Sequence, residues 1–186
     1  MLRKQLNNPQ QGFAMIEAMV TALIIAIGVA GIGVLLVRSI QGSQDNSQKS
    51  QAMWVVQDFV GRIRANSPGA KAGDYIGSES GSSCATPPSP MCAPHDDAPA
   101  EVCNSTQMAK YDKWITICGM SSGTFDSPTD FLAAPVLTSE CTLPDSRGEC
   151  VQYLINLQWN TKITTESSEA LARNNTNNYS IILEVN

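Results

Sequence analysis

Apolar positions along this chain follow three successive patterns. From Ala18 to Val37 there are 20 consecutive residues without a charge. As a helix rising about 1.5 Å per residue, that run spans about 30 Å, one bilayer core. After Arg38 the pattern turns amphipathic: Met53, Val56, Val60 and Ile63 follow i, i+3, i+7, i+10 spacing, with Gln51, Asp58, Arg62 and Arg64 elsewhere. This predicts a helix with one buried stripe, stopped at Asn66-Ser67-Pro68-Gly69. One helix from about Phe13 to Ala65 would be about 80 Å long. Near the C-terminus the period becomes two. Val151, Tyr153, Ile155, Leu157 and Trp159 alternate with Gln152, Asn156 and Gln158, broken by Leu154, and Tyr179, Ile181, Leu183 and Val185 repeat the alternation. Two strands, over 150–159 and 179–185, are expected, joined as a hairpin by the polar stretch Asn160 to Asn178.

Between these patterns the chain is irregular. Ser78 to Ala100 holds five prolines and two cysteines and is read as a loop, 78–100, pinned by a disulfide. Its His95-Asp96-Asp97 run resembles metal ligands, but an exposed loop tip is the preferred reading. Asn104 or Ser105 caps a short helix with Met108, Tyr111, Ile115 and Cys118 on one face and Gly119 at its end. A further short strand is expected around Val136–Thr138. The elements add up to an α+β protein: a long N-terminal α-helix, transmembrane in its first half, and a small antiparallel β-sheet whose apolar face covers the second half.

Charge and cysteine usage narrow the function classes. Arg3 and Lys4 are the only charges in the first 12 residues. Beyond them lie 10 of the 12 basic and all 17 acidic side chains, a net of −7. That balance argues against a nucleic-acid-binding surface, and a single His, at 95, argues against most acid–base catalysis. All six cysteines (Cys84, Cys92, Cys103, Cys118, Cys141, Cys150) follow the apolar run, and no C-x-x-C occurs. An even count on one side of a membrane reads as disulfides in an oxidising compartment. Leu143 to Gly148 forms a turn that makes Cys141–Cys150 the best pair, with the other four pairings open. No cofactor and no metal is expected.

The N-terminal segment carries the most specific signal. Arg3 and Lys4 keep their end cytoplasmic by the positive-inside tendency and place the remainder outside the cytoplasmic membrane. A secretory signal peptide cut near Gly28-Val29-Ala30 fits poorly, because the apolar run is too long and polar residues Gln5 to Gly12 separate it from the basic pair. A plain single-pass anchor explains the length but not Glu17. A buried acid at a helix centre costs about 2.5–3.5 kcal/mol unless paired. A nearby α-amine, with a pKa near ~8 and mostly cationic at neutral pH, would supply such a partner. Glu17 can then pair with that amine or with a neighbour's, which in a low-dielectric helix bundle selects register. Ala14, Ala18, Ala22, Ala26 and Ala30 recur every four residues, a small-residue ridge suited to close helix packing.

Gly12-Phe13-Ala14-Met15-Ile16-Glu17, after a short basic leader and before a long apolar helix, resembles the prepilin cleavage and methylation motif of type IV pilins. The resemblance implies a pilin fold, removal of residues 1–12 by a prepilin peptidase of the inner membrane, and N-methylation of Phe13. It divides the chain into a leader (1–12), a long helix (13–66, filament core at 13–37) and a periplasmic head (67–186). Many major pilins carry a helix-breaking proline where this chain has Val34, and usually a late disulfide near the C-terminus. Here the last cysteine is at 150. Tyr111-Asp112-Lys113-Trp114 resembles the aspartate–tryptophan region of PilV-type minor pilins. That resemblance implies a non-enzymatic subunit that initiates pilus assembly with other minor pilins, the major pilin and a large tip adhesin, serving twitching motility and adhesion. It would sit in the inner membrane and then at the tip or base of the pilus. The alternatives are a minor pseudopilin of a type II secretion system, a bitopic adhesin that stays in the membrane, and a membrane-anchored periplasmic enzyme such as a thiol oxidoreductase.

Overall fold

The computed structural model describes residues 15–94, 99–119, 127–160 and 176–185. The leader with Gly12, the residues Phe13 and Ala14, the His95-Asp96-Asp97 run and most of the 160–178 connection lie outside the described residues. The chain divides into two compact units, Met1–Gln44 and Asp45–Asn186. Helix α1 (Met15–Ala65) contributes to both, so the division falls inside the helix and its last 21 residues belong with the head.

In the first unit every described side chain is exposed, and α1 is long and apolar enough there to cross a membrane.

In the second unit α1 buries Gln48, Ala52, Val56, Phe59, Val60 and Ile63. At about 100° per residue these side chains share one stripe. Met53 was expected on that stripe but is 40% exposed. It stands at the stripe's margin, while Ala52 and Phe59, both fully buried, join Val56, Val60 and Ile63 on it. Pro68 explains the end of α1: it has no N–H for a continuing helix, yet its fixed φ suits the first turn of a new one. Helix α2 (Ser67–Lys71) accordingly starts at once, with Pro68 in its first turn.

Strands β1 (Gly77–Ser80), β2 (Ala133–Pro144), β3 (Cys150–Asn160) and β4 (Thr176–Glu184) form one antiparallel sheet in the order β1-β2-β3-β4. The alternation seen in the sequence sets its inner face: Tyr153, Ile155, Leu157 and Trp159 of β3 are buried, with Leu137 of β2 and Leu183 of β4. These pack against the α1 stripe as one core. The stretch expected to be wholly irregular from Ser78 opens instead as β1 followed by a 3-10 turn at Gly81–Ala85. Its polar sequence hid a strand that pairs along the β2 edge. The structure assigns the six cysteines to three disulfides, Cys84–Cys118, Cys92–Cys103 and Cys141–Cys150. The 78–100 segment is therefore pinned at two points, while Cys141–Cys150 staples the β2–β3 turn.

Helix α3 (Ser105–Cys118) begins at the Asn104 cap, whose Oδ1 accepts from Gln107 N at 2.8 Å, and ends at Gly119, φ 76°. It is buried on two sides. Ala109 and Ile117 enter the main core, whereas Tyr111, Trp114 and Ile115 form a small cluster with Met91 and Cys92. The single apolar face expected from Met108, Tyr111, Ile115 and Cys118 is only one of these sides. Between α2 and α3 the approach is close. A Cβ on Gly69 would lie 2.6 Å from Asn66 Nδ2 and 3.0 Å from Ser105 O, and Asn66 Nδ2 donates to that same Ser105 carbonyl at 2.7 Å. Gly69→Ala is expected to displace the Asn66 amide and destabilise the head by about 1–3 kcal/mol, read as a lower denaturation midpoint of the detergent-solubilised chain. An unchanged midpoint counts against this packing.

Candidate functional site

The N-terminal end of α1 presents a chemical problem that the described helix does not solve. Glu17 lies in the first turn of the helix and is exposed. Around it stand Met15, Ile16, Met19 and Val20, each at least 49% exposed. Along α1 the next charge after Glu17 is Arg38, 21 residues and about 31 Å further on, so the two cannot pair within one helix. The N-terminal pole of the helix favours an anion by about 0.3–1 kcal/mol, less than the burial cost of a lone carboxylate. A cation from outside the described helix is needed wherever this end leaves water. Phe13, whose amine would supply it, lies outside the described residues, as does Gly12.

Ala18, Ala22, Ala26 and Ala30 all fall on α1 and are exposed. A four-residue step advances 400°, so the ridge drifts by about 40° at each alanine and winds round the helix. Gly28, Gly31 and Gly33 would meet nothing within 4 Å if given a Cβ. Nothing among the described residues of their own chain therefore requires them to be small. Small residues on an apolar helix let another helix approach closely.

Within the head, α3 is tied to its surroundings by the tetrapeptide Tyr111-Asp112-Lys113-Trp114, whose Asp112 also reaches Arg62 near the C-terminal end of α1. Each residue makes a separate attachment. Tyr111 sits in the small apolar cluster. Asp112, buried, accepts from the Tyr75 hydroxyl at 2.5 Å and from Arg62 Nη1 at 3.4 Å. Lys113 Nζ donates to the carbonyls of Asp74 and Ile76 at 3.1 and 3.2 Å. Trp114 Nε1 donates to Ser83 O at 3.2 Å. Arg62 in turn holds Asp58 one turn earlier, Nε to Oδ2 at 2.7 Å, and Asn66 Nδ2 donates to the Tyr75 oxygen at 3.1 Å.

Burial raises the Asp112 carboxyl above its ordinary value, against the opposing pull of the Tyr75 hydrogen bond and Arg62. It also raises the Tyr75 hydroxyl, helped by the Asp112 bond. Burial lowers the Lys113 ammonium, against Glu79 and Asp74. Nearby, Tyr153 donates to Ala70 O at 2.6 Å, and burial, then Asp74, push its hydroxyl up to about 12. Each of these groups is tied to a named partner within the packed head. Among the described residues no group of three or more His, Cys, Asp or Glu side chains is placed to hold a metal ion.

Residues 7–33 match the family described as the prokaryotic N-terminal methylation motif, and residues 34–114 match the family described as type IV pilin Tt1218. The chain belongs to the type IV pilin-like family. No curated protein and no solved structure gives a significant match to it.

In this pilin the first match spans Gly12, Phe13, Glu17 and all five ridge alanines. The second ends at Trp114 and so takes in every member of the Asp58–Arg62–Tyr75–Asp112 network. The matches point to a structural role, with membrane anchoring, processing by a prepilin peptidase and assembly with other pilins. Sequence reading singled out Tyr111–Trp114 by resemblance alone and missed Arg62, Asn66 and Tyr75. Apart from the i,i+4 pair Asp58–Arg62, these partners lie 9 to 50 residues apart and leave no local spacing signal.

Proposed function

We propose that this chain is a minor pilin, PilV-like in kind, that helps to start a type IV pilus. One observation carries the reading: Glu17 is the sole charge along more than 20 residues of an exposed apolar helix that carries the methylation motif. Such a surface is stable in lipid or among other apolar helices, and a lone carboxylate at its end fits one new α-amine. In this reading prepilin peptidase cuts after Gly12 and Phe13 is N-methylated. The head stands on the periplasmic side, where its disulfides form. Extraction into the pilus then pairs Glu17 with Phe13, its own or a neighbour's. The last disulfide, Cys141–Cys150, closes the β2–β3 turn, with β4 following it, which supports a minor over a major subunit. Partners are the major pilin, the other minor pilins and a large tip adhesin.

The test joins a mass measurement to a deletion. The mature protein should begin at N-methylated Phe13 and occur in sheared pili, and its deletion should lower pilus number while the major pilin remains in the membrane. An N-terminus at Met1 or near Ala30 overturns the processing claim. Unchanged pilus number with loss of a secreted enzyme would reassign the chain to type II secretion.

A further inference from the structure

We infer that a groove beside Trp54 receives the aliphatic N-terminal helix of a neighbouring pilin subunit, forming a contact on the head in addition to the one made by residues 15–37. The inference rests on the assembly role proposed above. Trp54 is 71% exposed, whereas the chain's other two tryptophans, Trp114 and Trp159, are buried. It stands two residues from the buried Ala52, about 200° round the helix, on the face turned from the core. Singly exposed apolar side chains are ordinary. Trp54 differs because it walls a groove of about 180 Å³, with Val55, Pro128, Leu132 and the 39% exposed Phe131. That volume suits one or two branched aliphatic side chains.

Charge selects the occupant. Among the described residues the groove's polar lining is Gln51 and Ser127, with no ionised group. A second concavity, which shares Trp54, Val55 and Pro128 with the groove, carries the Asp58–Arg62 ion pair. An acidic or basic peptide would gain from that charged side and would lose its hydration in the neutral one. The neutral groove fits an uncharged aliphatic surface, and this pilin shows what such a surface looks like. Its own residues 18–37 carry no charge and no aromatic ring, with Ile24, Ile27, Ile32 and Leu35 all at least 59% exposed. A motif-bearing neighbour brings a comparable helix. Trp54 also lies on α1 itself, so the groove continues the element through which the family assembles. An aromatic wall against aliphatic knobs is the composition of an interface hot spot.

Two measurements in pilus-forming cells test this. With a photoreactive benzoyl-phenylalanine at position 54 of the full chain, crosslinking should give an adduct whose partner peptide comes from the N-terminal helix of a pilin, in the membrane or in sheared pili. Trp54→Ala should lower the ratio of pilus-incorporated to membrane protein by about tenfold, Trp54→Phe by less, and Gln57→Ala not at all. The membrane pool should be unchanged, because Trp54 takes no part in the core. An adduct only with lipid or with a non-pilin protein, or wild-type incorporation of Trp54→Ala, overturns the inference. If the wild-type chain is itself absent from sheared pili, the assembly reading fails, and the adduct in the membrane still decides the groove's occupant.

Discussion

Glu17→Ala is expected to be cleaved and to accumulate in the inner membrane, yet to enter pili at a level at least about tenfold below wild type. Removing the carboxylate leaves membrane insertion unaffected or slightly easier, since a charge costing up to about 3 kcal/mol is gone. Assembly is affected in the opposite direction. In the processing proposed above, the new Phe13 amine would lose its partner in the membrane segment, because no other acid occurs before Asp45, and an uncompensated charge among apolar helices costs about 3–5 kcal/mol. Glu17→Gln keeps the size and loses the charge, so it should behave like Ala. Glu17→Asp should retain part of the function. The readouts are the amount of this protein in sheared filaments and the number of pili per cell, because a minor subunit contributes little to filament strength. Wild-type incorporation of both neutral variants would show that charge pairing does not guide docking, while leaving the family assignment intact.

The second large effect is expected in the head. Asp112→Ala should destabilise it by on the order of 3 kcal/mol, seen as a lower denaturation midpoint by the fluorescence of the buried Trp114 and Trp159 in the detergent-solubilised chain. The loss has three parts: a cavity, a Tyr75 hydroxyl deprived of its short acceptor, and an Arg62 deprived of one partner. The third part is discounted, because the Arg62 side chain is 30% exposed and keeps Asp58. Asp112→Asn retains an acceptor for Tyr75 and should lose about 1 kcal/mol.

The pH dependence gives an independent check. The Asp112 carboxyl is raised in the folded state, so the folded chain takes up this proton more readily than the unfolded one. Its contribution to stability is therefore largest below the unfolded value, near ~4, and declines as pH rises through the folded one. The stability difference between wild type and Asp112→Asn should shift in favour of the variant as pH rises through that window. Asp145 works in the opposite sense. Backbone N–H groups of Glu149 and Arg147 hold its carboxyl below the ordinary value, so its contribution is present above about pH 4 and is lost as pH falls through its folded value. A pH-independent difference between wild type and Asp112→Asn would exclude a perturbed Asp112.

Much of this protein was legible from local spacing. An uncharged run after Glu17, an alternation over β3 and β4, and an Asn-Ser-Pro-Gly stop are each written in residues a few positions apart. Helix and strand periodicity respond to such neighbours, so the long helix and the sheet followed from the chain alone, and the even cysteine count without C-x-x-C gave their pairing as disulfides. The methylation motif is equally local, which is why the family was readable before any coordinate. Tertiary structure decided what depends on distant partners. It drew Asp112 to Arg62 and Tyr75 across 50 and 37 residues, chose Cys118 for Cys84 and Cys103 for Cys92, and made a strand of the polar Gly77–Ser80 by giving it the edge of β2. It also moved Met53 to the margin and left Trp54 exposed beside a groove. Those outcomes depend on shape and burial in three dimensions, and one-dimensional spacing carries neither.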